Sequence, residues 1–73
     1  MEEYKITQIM IPEAGIQYEL GYNNVCEIRE SFKQVSNDYI KNIYVVEFKK
    51  GDQRGFVEIS ADIKGLVVYN EYK

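Results

Sequence analysis

Apolar and polar residues alternate with a period of two in several separate runs of the chain, as they do in half-buried β-strands. The run from Tyr4 to Ile11 is rich in β-branched and aromatic residues, and Pro12 to Gly15 then supplies turn chemistry. Between residues 16 and 20, isoleucine, tyrosine and leucine alternate with glutamine and glutamate. The pattern predicts two strands joined by a turn.

The clearest hairpin is predicted between residues 43 and 59, where two apolar runs flank a Lys-Gly-Asp-Gln turn. Pairing Lys50 with Gln53 places Val46 opposite Val57 and makes one face of the hairpin continuously apolar. A last strand is predicted from about residue 65 to residue 72. Each half of the chain therefore follows the order strand, turn, strand, loop, strand.

We predict an all-β fold, in which a single domain over residues 1–73 forms a small antiparallel sheet or a partly closed barrel. Five to six strands would be arranged as two β-meanders. The ambiguous stretch is residues 25–36, where apolar residues also fall at helical spacing. The alternative is therefore an α+β fold with one helix over about residues 25–36 packed on the sheet.

The strand interpretation of this stretch places Cys26, Ile28 and Phe32 on one face. Folded back through a short turn, the strand would bring Ile28 beside Val46 and Cys26 beside Phe48, extending the apolar row of the next hairpin. This consistency favours the all-β fold. Cys26 is accordingly expected in the core as a small apolar residue.

Charge and chemistry narrow the functional classes. The formal net charge of -3 disfavours direct nucleic-acid binding, and the N-terminal residues lack the apolar run of a signal or membrane span. The chain has no histidine and one cysteine, so triad catalysis, a structural zinc site and an internal disulfide are excluded. No phosphate-binding glycine motif is present. We expect a cytoplasmic, non-enzymatic protein with no cofactor and no metal.

The most informative feature is an excess of apolar residues on the hairpin face that should contact water. Ile43, Val45 and Phe56 point away from the predicted core, and 73 residues can hardly cover both faces of a six-stranded sheet. We expect a partner protein or a second copy to cover them. The predicted binding residues are this patch with its charged rim, the cations near the hairpin turn and three tyrosines near strand or chain ends: Ile43, Val45, Phe56, Glu47, Glu58, Lys49, Lys50, Arg54, Tyr22, Tyr69 and Tyr72.

Two other hypotheses remain open. The first is sequestration of a small molecule or nucleotide, with aromatic rings stacking on a base and lysine or arginine contacting phosphate. The second is mimicry of a nucleic acid, against which the small net charge argues. Its candidate residues are Glu2, Glu3, Glu13, Glu19, Glu27 and Glu30.

The runs Asn24 to Glu30, Tyr44 to Gly51 and Ile63 to Tyr69 resemble small β proteins encoded by phages and mobile elements of AT-rich bacteria. The resemblance covers about half of the chain and carries no diagnostic motif. Some small acidic proteins of that kind bind and block host defence or nucleic-acid enzymes. The resemblance therefore implies that this protein is an inhibitor whose partner is a host enzyme. It assigns no role to any residue.

Overall fold

The computed structural model describes residues 4–72 and contains six strands and one short 3-10 helix within that range. The strands are β1 (Tyr4–Ile11), β2 (Ile16–Glu19), β3 (Val25–Ser36), β4 (Tyr39–Lys50), β5 (Gln53–Ser60) and β6 (Val67–Tyr72), and the 3-10 helix is Pro12–Ala14. The all-β prediction is confirmed. Glu2 and Glu3, which the mimicry hypothesis includes, lie outside the described residues.

The strands form two antiparallel three-stranded sheets rather than a closed barrel. Sheet A has the order β2, β1, β6, and sheet B has the order β3, β4, β5. The strand order differs from two sequential meanders, because β6 pairs with β1 and β3 pairs with β4. Only sheet B is a meander of consecutive strands. The long connection between β5 and β6 returns the chain to the first hairpin.

The two sheets enclose a small core of aliphatic side chains. Ile9 from sheet A and Val46 from sheet B are fully buried at its centre. Partly buried aromatic residues close the periphery, and the rings of Tyr18 and Phe48 meet edge to face at 5.7 Å. The buried core residues are Ile6, Ile9, Ile11, Val25, Ile28, Val46 and Ile59.

The predicted hairpin register is confirmed. Lys50 pairs with Gln53, Val46 with Val57, and the register continues without interruption to the end of β5. The connecting residues are Gly51 and Asp52, and Gly51 has a φ of 59°, a conformation that glycine adopts at little cost. The turn therefore follows from the local sequence.

The stretch 25–36 is strand β3, so the helical alternative is wrong. Ile28 lies opposite Val46 as predicted, but the register shifts between Val25 and Glu27. This bulge puts Val25 opposite Phe48 and into the core, whereas Cys26 is exposed. The expectation of a buried Cys26 beside Phe48 is therefore wrong, because the extra residue in β3 displaces the side chain from the inner face.

Strands β3 and β4 are each 12 residues long and extend beyond the rest of the protein. Strand β5 pairs with β4 only from Lys50 back to Ile43. Residues 32–42 consequently form a two-stranded hairpin arm that carries neither a third strand nor a covering sheet. Phe32, which the sequence placed on the same strand face as Ile28, lies on this arm and is exposed.

The central position of Ile9 makes a stability prediction. Replacing Ile9 with alanine removes a fully buried side chain and should lower the free energy of unfolding by about 2–5 kcal/mol. Ile63→Ala is the matched control, because Ile63 is exposed. This substitution should change the free energy of unfolding by less than about 0.5 kcal/mol. Urea denaturation of both variants measures the difference. Equal losses would contradict a core built between the two sheets.

Candidate functional site

The outer face of sheet B is covered by the chain's own charged side chains. Ile43 and Val45 point outward from the central strand, yet they are only 6% and 5% exposed. Lys33 of β3 and Glu58 of β5 flank β4 and form an ion pair at 3.3 Å. The aliphatic part of the lysine can shield apolar surface while its ammonium stays in water. Ile43 and Val45 therefore need no external cover.

A second ionic cluster lies further along the same face. Arg29 forms ion pairs with Glu47 at 3.0 Å and with Glu27 at 3.1 Å. The hydrogen bond from the Arg29 guanidinium lowers the pKa of the Glu47 carboxyl below its usual value. Val45 is paired directly with Arg29 in the sheet register, so this cluster shields it from one side.

Phe56 is the accessible apolar member of the patch predicted from sequence, with 64% of its surface exposed. It lies opposite Glu47 in the register, and the predicted cations Lys49, Lys50 and Arg54 follow at the turn end of the same hairpin. A small depression of about 150 Å³ joins Phe56 to Arg54 and Cys26. The structure thus brings part of the predicted rim together around a single aromatic side chain.

The three predicted tyrosines lie apart from that patch and are exposed. Tyr69 and Tyr72 belong to β6 of sheet A, and Tyr22 lies in the loop between β2 and β3. The Tyr72 ring contacts the Tyr4 ring at a centroid distance of 6.0 Å. These side chains therefore do not form one surface with Phe56.

Four exposed apolar side chains lie on the arm, and the sequence reasoning did not identify them as a site. Phe32 is 68% exposed and Ile40 is 59% exposed, and Val35 and Tyr39 elsewhere on the arm are also exposed. Phe32 pairs with Asn42, and Ile40 with Gln34, so Phe32 and Ile40 are diagonal neighbours on one face. The available signal was the length of the two strands, which exceeds what β5 can cover.

Strand β3 also has a long edge with unpaired backbone groups. Among residues 4–72, β4 is its only strand partner, and the free edge is bonded only near its start, where Gly21 donates to the Val25 carbonyl. Such an edge presents N–H and C=O groups that can pair with another strand. The apolar arm and the free edge of β3 therefore meet at Phe32.

An open groove of about 800 Å³ lies between β1 and the first half of β3. The Tyr4 hydroxyl donates a hydrogen bond of 2.9 Å to Glu30 across it. This bond to a carboxylate raises the pKa of Tyr4 above its usual value. Lys5 and Arg29 line the groove together with three glutamates, so its charge is mixed rather than selective for an anion.

Acidic side chains do not assemble into a metal site in the described part of the chain. Residues 4–72 contain no group of three or more carboxylate or cysteine side chains with a geometry that could hold a metal ion. In the same range, no helix is long and apolar enough to cross a membrane.

The fold and surface define a small all-β protein of two packed antiparallel sheets with one long, uncovered hairpin arm. Comparisons with protein families, curated proteins and solved structures find no match to this chain. The functional argument therefore starts from the surface itself.

The ionic cluster on sheet B makes a pH-dependent prediction. Replacing Arg29 with methionine should raise the pKa of Glu47 toward its ordinary value, because the bond that lowers it is lost. Since the wild-type pKa is lower in the folded chain, the pair stabilises the fold above the ordinary carboxyl pKa. This contribution disappears as the pH falls through the lowered value.

The stability difference between wild type and Arg29→Met should therefore be largest near neutral pH and vanish in acid. NMR titration of the Glu47 carboxyl and urea denaturation at several pH values measure both effects. Lys33→Met is the control, because Lys33 pairs with Glu58 and its loss should leave the pKa of Glu47 unchanged. An unchanged Glu47 pKa in Arg29→Met would contradict the described ion pair.

Proposed function

We propose that the protein is a non-enzymatic protein-binding module whose contact surface is the arm, residues 32–42, together with the free edge of β3. The observation that supports it is the exposure of Phe32, Val35, Tyr39 and Ile40 on a hairpin that nothing else in the described chain covers. Exposed apolar side chains concentrated in one segment are typical of interaction sites.

The energetics of the arm support the same conclusion. An isolated two-stranded hairpin is marginally stable in water, and it gains stability from a third strand or a covering surface. A binding partner can supply both, since an added strand pairs with the backbone while its side chains cover Phe32 and Ile40. Recognition by strand addition requires only an accessible edge and an apolar side-chain contact, and both lie on β3.

A finer assignment follows from the resemblance to small phage and mobile-element proteins. We propose that the biological role of the module is to block the activity of a host enzyme. The free thiol of Cys26 suits a reducing compartment, which supports a cytoplasmic location.

Two phenylalanines of nearly equal exposure allow a matched test. Phe32 lies on the arm and Phe56 lies on the opposite face of sheet B, so each can be replaced with alanine separately. The tagged protein would be used as bait in an extract of the source cells supplemented with untagged protein. Retained proteins would be identified by mass spectrometry.

We expect wild type and Phe56→Ala to retain a stoichiometric partner that Phe32→Ala loses. Truncation of a central interface aromatic costs about 2 kcal/mol or more, which weakens the affinity at least about 30-fold. Circular dichroism would establish that both variants are folded. Failure of the wild-type bait to retain any protein, including its own untagged form, would contradict the proposal, as would undiminished retention by Phe32→Ala.

The groove between β1 and β3 supports a second candidate function, sequestration of a small molecule. Its volume of about 800 Å³ is within the range of ligand sites, and it contains the Tyr4 ring together with Lys5 and Arg29. We expect any nucleotide that binds there to raise the melting temperature. Thermal-shift measurements with a nucleotide panel test this, with Arg29→Met as the control variant; the absence of any shift would exclude the candidate.

A further inference from the structure

We propose that the partner of the β3 edge is a second copy of this chain, joined across a two-fold axis at Phe32 so that two sheets B become one continuous six-stranded sheet. The inference rests on the proposed protein-binding function and assigns its partner. It depends on three features of β3: the direction of its free backbone groups, its charge pattern and the position of its aromatic residue.

Two backbone hydrogen bonds establish which residues of β3 point toward the free edge. Lys49 donates to the Asn24 carbonyl on the β3 side, and Ala61 donates to the Asn42 carbonyl on the β5 side. Odd-numbered residues of β4 therefore bond to β3, and even-numbered residues bond to β5. In the register of β3 with β4, Arg29, Ser31 and Lys33 face β4, so the free N–H and C=O groups belong to the even-numbered residues: Ile28, Glu30, Phe32 and Gln34.

The charges along β3 exclude the registers that would give the longest overlap with a second β3. In a two-fold antiparallel pair, each side chain lies opposite a side chain on the same face of the sheet. The axis therefore passes between the two copies of one residue, which names the register. An axis at Ser31 would place Arg29 opposite Lys33 of the other copy, twice. Axes at Glu30 or Lys33 would place like charges directly opposite each other, which is destabilising.

An axis at Phe32 avoids every direct contact between like charges. It pairs Ser31 with Lys33 and Glu30 with Gln34 of the second copy, where a carboxylate can accept a hydrogen bond from an amide. Lys33 becomes a diagonal neighbour of its own symmetry mate, but each ammonium is already paired with Glu58 at 3.3 Å. This is the longest overlap of β3 with itself that the charge pattern permits.

The same axis brings the exposed apolar residues of both arms together. Phe32 of one copy lies opposite Phe32 of the other, and Ile40 flanks each ring on the neighbouring strand. A cross-strand aromatic pair stabilises a sheet and reduces the exposure of both rings. The bulges at Cys26 and Val35 bound a regular segment, residues 27–34, which contains all the residues from Glu30 to Gln34 that this register pairs.

Two cysteine variants test the register directly. In a Cys26→Ser background, Ser31→Cys and Lys33→Cys would be prepared as separate proteins, mixed in equal amounts and oxidised mildly. Opposed side chains in a non-hydrogen-bonded pair have Cβ atoms about 4.5–5.5 Å apart, close enough for a disulfide after a small adjustment. Light scattering across a concentration series would measure the mass of the wild-type chain.

We expect a dimer whose dissociation constant rises at least about 30-fold in Phe32→Ala, because the two-fold axis removes both rings at once, and stays unchanged in Phe56→Ala. Covalent dimers should form in the mixture and not in either cysteine variant alone. Cross-linking of Ser31→Cys with itself would overturn the Phe32 register. A wild-type monomer at every concentration would overturn the dimer, whereas Phe32-dependent capture of a different protein would leave the binding function standing.

Discussion

Burial of strand β4 on both faces is the constraint on which the rest of the structure depends. Its inner face carries Val46, which is fully buried against sheet A. Its outer face carries Ile43 and Val45, which are buried on the face that carries ion pairs between side chains of β3, β4 and β5. A central strand with apolar residues on both faces usually requires a layer of structure on each side. Here long charged side chains replace the second layer.

With that arrangement sheet B needs no further layer on its outer face, but one end of its inner face is left uncovered. Sheet A is short and packs over the part of sheet B that includes Val25, Ile28 and Ile59. Beyond that contact, β3 and β4 continue as a pair, with apolar residues still on the face that no other strand reaches. Because a larger sheet A would have covered Phe32 and Ile40, their exposure follows from the lengths of the strands.

The sequence predicted the strands and the β4–β5 register because both depend on local information, namely alternation and a glycine-containing turn. It did not predict the bulge at Cys26, since a one-residue shift leaves the alternation of the neighbouring residues intact. The pairing of β6 with β1 was also missed, because partners far apart in the chain leave no local signal.

The location of the exposed surface was the least predictable feature. Ile43 and Val45 were expected to need a partner, and only the distances between charged side chains on three strands reveal that they do not. Conversely, Phe32 fits an apolar row with Ile28 in the sequence, and its exposure depends on where sheet A ends. Burial is a property of the assembled sheets. The residue pattern therefore identified the face on which Phe32 and Ile28 lie, but not which part of that face sheet A covers.

Amide hydrogen exchange along β3, followed by NMR at increasing protein concentration, tests the central claim that this edge is a binding surface. The amides of Arg29, Ser31 and Lys33 face β4 and should be protected at every concentration. Those of Glu30, Phe32 and Gln34 should exchange rapidly in dilute protein and become protected as the chains associate. Rapid exchange of these three amides at all concentrations, with and without a captured partner, would contradict the account.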